Sequence, residues 1–336
     1  MTTTNIVSCD IGYQEVKTVS SKSALQKPDC FSFPSIAIAC NKDNDINSLA
    51  LRDEIVVSVN NKDYAVGNDA YLRQTAHQSR IFSENYISRP EYYALLLGAL
   101  HYTGKSEIDL LVVGIPVHGF TKNNIMQQRN KLKGRHQLPN GKSVVIHDVL
   151  TIAQPIGGLV HYSLERSSYE DVRNKTNLII DPGGLTLDWA VAQGLTPAIS
   201  RCGSFSGGGI NTIIESIVKQ IRVKHRVNYT VLSRLEKDIQ SGYITINGKQ
   251  EPLTEYLETA MDEVMPALDA MINQNDGHDI DNVVLVGGGA PLFKDTIKSI
   301  FPHHNIQSIP EPYFANVRGF QILGEEYYRQ TVGGVA

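Results

Sequence analysis

The chain has 336 residues, of which 41% are hydrophobic and 20% are charged, and its formal net charge is -4. This length and composition are typical of a globular protein with one large or two ordinary domains, and we expect two lobes. A net negative charge argues against direct binding of nucleic acid, because phosphate contacts need concentrated Lys and Arg. No apolar stretch approaches the roughly 18 residues of a membrane span, and the N-terminus has no signal-peptide pattern, so we expect a cytoplasmic protein with no membrane partner.

The four cysteines and the one basic cluster do not by themselves indicate a functional site. The cysteines have no metal-ligand spacing, so we expect small buried side chains with free thiols at Cys9, Cys30, Cys40 and Cys202. The segment 122–135 (KNNIMQQRNKLKGR) is basic, and a solvated helix or loop face is the structure that such a run favours.

The first third of the chain is expected to form a sheet covered by helices. Ile6–Cys9 predicts a strand that returns through a tight turn at Asp10 and Gly12, and Gly12 is able to take a positive φ there. A helix over 90–100 and a buried strand over 109–116 follow. An acid therefore lies at the tip of a hairpin in a covered sheet.

The second half repeats this plan. An apolar strand at Leu178–Ile180 runs into Asp181 and the glycines Gly183 and Gly184, and a returning strand follows. Between the halves, Gln154 opens a small-residue segment that predicts a helix crossing between two lobes. A duplicated turn with one Asp in each lobe is expected to place two carboxylates face to face across a cleft.

The remaining pattern predicts helices that alternate with a strand and glycine turns. In chain order these are a glycine run over 207–209 before a helix near Ile210, an amphipathic helix over 255–272, a strand over 283–286 leading into the glycines 287–289 and another helix, and a helix over 313–324 that returns to the first lobe. The pattern is that of an α/β fold.

The glycine turns and the two acids together indicate a nucleotide site. Glycine turns after strands let backbone N–H groups approach phosphate oxygens closely. Asp10 and Asp181 would repel those phosphates unless a cation lies between them, and Mg²⁺ is typically held by one or two carboxylates and phosphate oxygens. Lys17 could neutralise β- or γ-phosphate charge from the returning strand. The alternatives are that each Asp only caps its turn and that Lys17 is an exposed strand lysine.

Four motifs in the chain together resemble those of a known superfamily. The residues that carry the likeness are Asp10-x-Gly12 with Lys17, Gln154 before a small-residue helix, the stretch LIIDPGGLTLD over 178–188, and VGGGA over 286–290. They are similar to the phosphate 1, connect 1, phosphate 2 and adenosine motifs of the actin, Hsp70 and sugar kinase superfamily, and within it to the ParM/StbA plasmid-segregation actins. The resemblance covers almost the whole chain. It implies an actin-like ATPase fold of two similar lobes, each a mixed five-stranded sheet flanked by helices, with lobe I at 1–154 and 314–336 and lobe II at 155–313.

The resemblance also implies site residues. Asp10 and Asp181 would hold Mg²⁺ through water and would act in catalysis with Gln154, which corresponds to the residue that orients the attacking water. The other residues implied for nucleotide binding are Gly12, Tyr13, Lys17, Gly183, Gly184, Leu185 and Thr186 at the phosphates, Gly208 and Gly209 at the sugar, Gly287, Gly288 and Gly289 at the adenine side, and Lys237 at the base. Tyr13 and Leu185 depart from the Ser, Thr or small residues of many relatives, which leaves one phosphate contact to backbone groups.

The implied function is an ATPase that polymerises with bound ATP, or GTP, and Mg²⁺ and disassembles after hydrolysis. The implied partners are other copies of the chain and a DNA-binding adaptor protein on a centromere-like plasmid site, and the implied role is plasmid segregation. The alternatives are a small-molecule kinase and a nucleotide-dependent chaperone or reactivase of the same superfamily.

Overall fold

A computed structural model describes residues 4–20, 30–41, 52–73, 86–165, 169–229, 235, 238–239, 241–275 and 277–332. The strands are β1 (Ile6–Ile11), β2 (Glu15–Ser20), β3 (Cys30–Pro34), β4 (Ile38–Cys40), β5 (Ile55–Val59), β6 (Lys62–Val66), β7 (Glu107–Ile108), β8 (Leu110–Ile115), β9 (Gly134–Gln137), β10 (Ser143–Ile146), β11 (Val149–Ala153), β12 (Thr176–Pro182), β13 (Thr186–Gln193), β14 (Thr196–Pro197), β15 (Gly203–Ser206), β16 (Tyr243–Ile246), β17 (Lys249–Pro252), β18 (Asn282–Leu285) and β19 (Ile306–Ser308).

Helices cover these strands. The α-helices are α1 (Pro90–Thr103), α2 (Lys122–Leu132), α3 (Gln154–Glu165), α4 (Tyr169–Arg173), α5 (Ile210–His225), α6 (Thr254–Asp262), α7 (Met265–Gln274), α8 (Ala290–Ile300) and α9 (Ala315–Val332). Short 3₁₀ helices lie at Ala70–Arg73, Tyr86–Ser88, Val117–Gly119, Ile199–Arg201 and Pro312–Phe314. Within the described ranges, none of the helices is both long enough and apolar enough to cross a membrane.

Two sheets share one topology. The first has the order β11-β8-β1-β2-β3, in which β1 and β2 form an antiparallel hairpin and β8 and β11 run parallel to β1. The second has the order β19-β18-β12-β13, with an antiparallel β12–β13 hairpin and the parallel strand β18 beside β12. Its outer edge is shared by β14 and β15, which both pair with β13. The predicted duplication is therefore confirmed.

Largely apolar sequences explain why the central strands of both sheets are buried. Every residue of β1 and of β8 is buried, as expected for strands covered on both faces. Each sheet has its own hydrophobic core. A third core joins residues of both sheets, including Leu110, Ile179 and Val284, with helical residues such as Phe320. Two helices, α3 and α9, contribute to this third core, so they lie where the two sheets meet.

Glycines let α3 and α9 cross closely. A Cβ atom on Gly157 would lie 2.5 Å from the carbonyl oxygen of Asn316, and a Cβ on Gly319 would collide with the backbone of Gly157. The predicted small-residue crossing helix is thus present as α3. The C-terminal helix α9 returns to the first sheet as predicted, since the Gln321 side chain bonds Ser8 and the backbone of Ile6. The lobe boundaries stay predictions.

The close crossing of α3 and α9 predicts that an alanine at Gly319 lowers the free energy of unfolding and does not raise it. Gly to Ala at an ordinary interior helix position stabilises a protein by about 1 kcal/mol. Gly319→Ala is expected instead to lower the free energy of unfolding by about 2–3 kcal/mol, because the added methyl forces two packed helices apart. Urea unfolding measures this change, and Thr331→Ala, at an exposed position of the same helix, is the control. A stabilised Gly319→Ala variant would contradict the close crossing.

Several other sequence predictions can be compared with the structure. The helix predicted over 255–272 is wrong as a single element: α6 and α7 are separated near Val264, and Pro266 lies in the first turn of α7. The basic segment forms α2 and the start of β9, with exposed basic side chains and a buried Leu132. The four cysteines are free thiols, but only Cys9 is fully buried.

Candidate functional site

The two hairpin turns and a third glycine turn enclose a cavity of about 450 Å³. Ten of the residues predicted from the sequence line this cavity: Asp10, Gly12, Tyr13, Lys17, Gln154, Asp181, Gly183, Gly184, Thr186 and Gly288. The first five of these come from the first sheet and the start of α3, and the others come from the second half of the chain. The expected cleft between two similar halves is therefore present.

Asp10 is the last-but-one residue of β1 and is 3% exposed. Its Oδ1 accepts a 2.6 Å hydrogen bond from Nε2 of Gln154, the first residue of α3. Lys17 is its partner across the hairpin. Burial raises the pKa of Asp10, and the Lys17 ammonium and the Gln154 bond partly offset that rise.

Asp181 occupies the equivalent position in the second hairpin and is 7% exposed. Its Oδ2 accepts a 2.7 Å bond from Nδ2 of Asn316, near the start of α9. Burial, and then the nearby Asp188 carboxylate, raise the pKa of Asp181 to about 7, although Asn316 and Lys17 act in the opposite direction. The Asp10 carboxylate contributes to the rise, so the two predicted acids interact electrostatically across the cavity.

The raised pKa predicts how stability depends on pH without nucleotide. The pKa of Asp181 lies near 7 in the folded chain and at about 3.9 in the unfolded chain, so unfolding releases a proton between these values and stability falls as pH rises through that window. Asp181→Asn, which keeps an oxygen for Asn316, is expected to raise the unfolding free energy by about 2–4 kcal/mol at pH 8 and by less at pH 5. Thermal unfolding at both pH values measures the difference. A variant less stable than the parent at pH 8 would contradict this electrostatic account.

The first turn is built by close backbone contacts. Gly12 donates its N–H to the Glu15 carbonyl at 3.0 Å, and a Cβ on Gly12 would approach that same oxygen to 3.0 Å. Gly12 does not have a positive φ, so the reason for a glycine here is the close approach and not the expected backbone conformation. Tyr13 stacks on Tyr86 with ring centroids 4.8 Å apart.

The second turn is fixed by the start of α5. The N–H groups of Ile210 and Asn211 donate to the carbonyls of Gly183 and Gly184 at 2.9 and 2.8 Å. Thr186 donates its hydroxyl to Oδ2 of Asp188 at 2.6 Å. The two turns also meet each other, because a Cβ on Gly184 would lie 2.6 Å from the side chain of Gln14.

Five other predicted residues do not line the cavity. Gly209 packs against the carbonyls of the second turn, and Leu185 accepts the Gly209 N–H through its backbone oxygen. A Cβ atom on Gly208 would lie against Leu187 and Ala267 of the core, so the side-chain position of Gly208 faces the protein interior. Gly287 and Gly289 pack on Asp181 and Pro182 and thereby support the second turn, as the hydrogen bond from Gly289 N–H to the Pro182 carbonyl shows. The predicted Lys237 lies outside the described residues.

The sequence interpretation did not assign a site role to nine residues that line the cavity: Gln14, Glu15, Asp188, Ile210, Ile239, Pro291, Leu292, Tyr313 and Asn316. Asp188 was within reach of the pattern analysis, because it ends the second motif two residues after Thr186. Tyr313 and Asn316 lie far along the chain from both hairpin turns, and no local pattern marks them.

Two protein-family models match this chain, one in each half. The family model described as "Actin like proteins N terminal domain" matches residues 8–157, and the model described as "Plasmid segregation protein ParM, C-terminal" matches residues 173–322. The chain belongs to the ParM-type actin-like proteins. This confirms the family that the motifs predict. A comparison with curated protein sequences gives no match.

Solved structures confirm the actin-like fold of this ParM-type chain. An archaeal actin homologue superposes with a TM-score of 0.74 at 16% identity, over 96% of this chain and 99% of that one. The actin-like protein Alp7A superposes with a TM-score of 0.75 at 14% identity, over 99% of both chains. A 15-stranded ParM filament from Clostridium botulinum gives a TM-score of 0.70 at 22% identity, over 96% of this chain and 99% of that one.

Proposed function

We propose that this ParM-type chain is a nucleoside triphosphate hydrolase. In this proposal it polymerises into filaments with bound ATP, or GTP, and Mg²⁺, and it disassembles after hydrolysis. The observation that carries the proposal is the convergence of Asp10 and Asp181, one from each of two topologically equivalent hairpins, on one cavity edged by glycine turns. An archaeal actin homologue of the same fold has been solved in complex with ADP, which supports a nucleotide as the ligand.

The acids fit a magnesium ion. Both carboxylates are buried and both have a raised pKa, so a cation would relieve a charge that burial disfavours. Within the described ranges, no three His, Cys, Asp or Glu side chains are grouped so that they could hold a metal by themselves. That arrangement suits Mg²⁺, which usually keeps several waters and takes only one or two protein carboxylates beside phosphate oxygens.

The remaining residues of the site suit a nucleotide. Lys17 lies on the edge of the cavity, where its ammonium is placed to bind phosphate oxygens. Ile210, Ile239, Pro291 and Leu292 supply apolar surface in the same cavity, and the flat faces of a base can pack on such surface. We assign the phosphates to the two hairpin turns and the nucleoside to the apolar side chains and the third glycine turn.

Gln154 orients the attacking water in this mechanism. An amide cannot take a proton at neutral pH, so its contribution is to hold the water by hydrogen bonds and not to act as a general base. Bound Mg²⁺ supplies charge stabilisation for the transferred phosphoryl group. Burial of Asp10, Asp181 and Gln154 excludes bulk water, which strengthens the electrostatic interactions of the site.

We further propose that the assembled filament acts in the bacterial cytoplasm and segregates plasmid DNA. ParM and Alp12 filaments of the same fold support self-association as the mode of assembly. Filament growth requires a head-to-tail interface that does not close into a ring. With a net charge of -4, the chain is better suited to reach DNA through a DNA-binding adaptor protein than to bind it directly.

Nucleotide binding and phosphate release test the hydrolase proposal. The single tryptophan, Trp189, follows Asp188 in β13 and is 3% exposed, which makes its fluorescence a local reporter. Titration with Mg-ATP, Mg-GTP and Mg-ADP is expected to change this fluorescence saturably, and phosphate release is expected with a triphosphate and no added acceptor. Phosphate transfer that requires a small-molecule acceptor would instead indicate a kinase.

A further inference from the structure

A five-residue segment that no motif marks contacts both central hairpins and the third glycine turn. This crossing segment, 312–316, leads from the second sheet into α9. Two of its side chains, Tyr313 and Asn316, line the cavity. Its contacts include Lys17, Asp181 and the glycines Gly287 and Gly288, which the sequence analysis assigned to three separate motifs.

The backbone of the crossing segment is bonded to the third glycine turn. Gly287 donates its N–H to the carbonyl of Pro312 at 2.9 Å. The Tyr313 ring covers the next residue, since a Cβ on Gly288 would lie 3.4 Å from it. The segment and the third turn are therefore fixed relative to each other.

Tyr313 contacts the first hairpin from this anchored position. The Nζ of Lys17 lies 4.3 Å from the centroid of the Tyr313 ring, within the range of a cation–π interaction. The Tyr313 hydroxyl donates to Oγ of Ser32 at 3.1 Å. Burial, and then the Glu15 carboxylate, raise the pKa of Tyr313, so the hydroxyl stays protonated. The hydrogen bond from this hydroxyl to Ser32 therefore holds the hydroxyl end of the ring in place.

Asn316 contacts the second hairpin. It is 6% exposed, and its Nδ2 donates to the Asp181 carboxylate at 2.7 Å. Gln154 at the start of α3 holds Asp10 in the same way, at 2.6 Å. Each aspartate is thus held by an amide at the start of one of the two helices that cross at the junction of the sheets.

We propose that the crossing segment is a positioning element that joins the two central hairpins and the third glycine turn, in which Tyr313 positions Lys17 and Asn316 positions Asp181. This inference rests on the proposed nucleotide function. The Tyr313 ring keeps the Lys17 ammonium at the cavity, so less ordering is needed when phosphates bind. Asn316 fixes the orientation of Asp181, and its effect is therefore expected on the reaction more than on binding.

Tyr313→Leu tests the first assignment. Calorimetric titration is expected to show about tenfold weaker binding of Mg-ATP, while binding of adenosine, which has no phosphate, changes less than about twofold. Tyr313→Phe keeps the ring and is expected to recover most of the lost affinity. Tyr243→Leu, an exposed tyrosine in β16 outside the cavity, is the matched control. Equal losses for Mg-ATP and adenosine would overturn the assignment, because they would indicate general damage to the cavity.

Asn316→Ala tests the second assignment. The kcat for phosphate release is expected to fall about tenfold to a hundredfold while KM changes less than about threefold, because the bond to a charged carboxylate is lost but the phosphate contacts remain. Asn316→Ser, whose hydroxyl can still donate, is expected to retain part of kcat, and it keeps the test valid if the alanine variant fails to fold. An unchanged kcat, or a change in KM alone, would overturn the assignment.

A double-mutant cycle in the absence of nucleotide separates this inference from the proposed function. In thermal unfolding of the nucleotide-free chain, the effects of Lys17→Met and Tyr313→Leu are expected to be non-additive, since both remove one contact. A parent chain that binds no nucleotide would overturn the proposed function whatever the cycle shows. A parent that binds nucleotide, combined with an additive cycle and normal Tyr313→Leu affinity, would overturn only the positioning role.

Discussion

Gln154→Ala is expected to lower the rate of phosphate release about a hundredfold or more while the chain still binds Mg-ATP and assembles. Gln154 is buried at the start of α3, and its amide donates a hydrogen bond to Asp10, which also lines the cavity. Its loss removes the group that orients water but leaves Asp10, Asp181, Lys17 and the glycine turns in place. Filaments of the variant should therefore form and persist.

Phosphate release and sedimentation, measured on the same samples, check this result. Gln127→Ala, which truncates an exposed glutamine on α2, is the matched control and should behave as the parent. A Gln154→Ala variant that hydrolyses nucleotide at the parent rate would remove Gln154 from the mechanism. A variant that no longer binds nucleotide would show that Gln154 supports the site and not the reaction.

Gly287→Ala is expected to weaken Mg-ATP binding by about a hundredfold or more, because it displaces a carboxylate that the site requires. Gly287 has a φ of 80°, and a Cβ atom there would collide with Oδ1 of Asp181. The backbone strain of alanine at such a φ adds a cost of about 1–2 kcal/mol in folding stability.

Gly248 offers a closely matched control for this substitution. It has a φ of 77°, and a Cβ there would meet nothing within 4 Å. Gly248→Ala should therefore show the same backbone strain in thermal unfolding but bind Mg-ATP like the parent. Equal affinities for the two alanine variants would mean that the approach of Gly287 to Asp181 has no role in the site.

Much of the fold was predictable because each of the two central hairpins is encoded by a short continuous stretch of sequence. Each consists of a run of buried apolar residues, an acid, glycines and a returning strand, so the sequence identified Asp10 and Asp181 without any tertiary information. The split between α6 and α7 was missed because the apolar spacing continues past Pro266, which can occupy a first helical turn as readily as it can end a helix.

The parts of the site that could not be predicted depend on tertiary contacts. Asn316 reaches Asp181 only because α9 returns across α3, and Tyr313 reaches Lys17 only because the crossing segment is bonded to the third glycine turn. Likewise, a glycine motif shows which residues lack side chains but not which side of the backbone faces a cavity. Gly208 accordingly packs in the core, although its neighbours in sequence border the second turn.

The most direct test of the proposed function is light scattering at 90° by the purified chain, recorded together with phosphate release. The samples contain Mg-ATP, Mg-GTP, Mg-ADP or no nucleotide, and Asp181→Ala is compared with the parent. We expect a rise in scattering that requires a triphosphate and decays as phosphate is released. Asp181→Ala, which lacks one of the two carboxylates that would hold Mg²⁺, is expected to show a weaker rise and less phosphate release. Scattering that stays flat with every nucleotide, while phosphate is transferred only to a small-molecule acceptor, would contradict the proposed function.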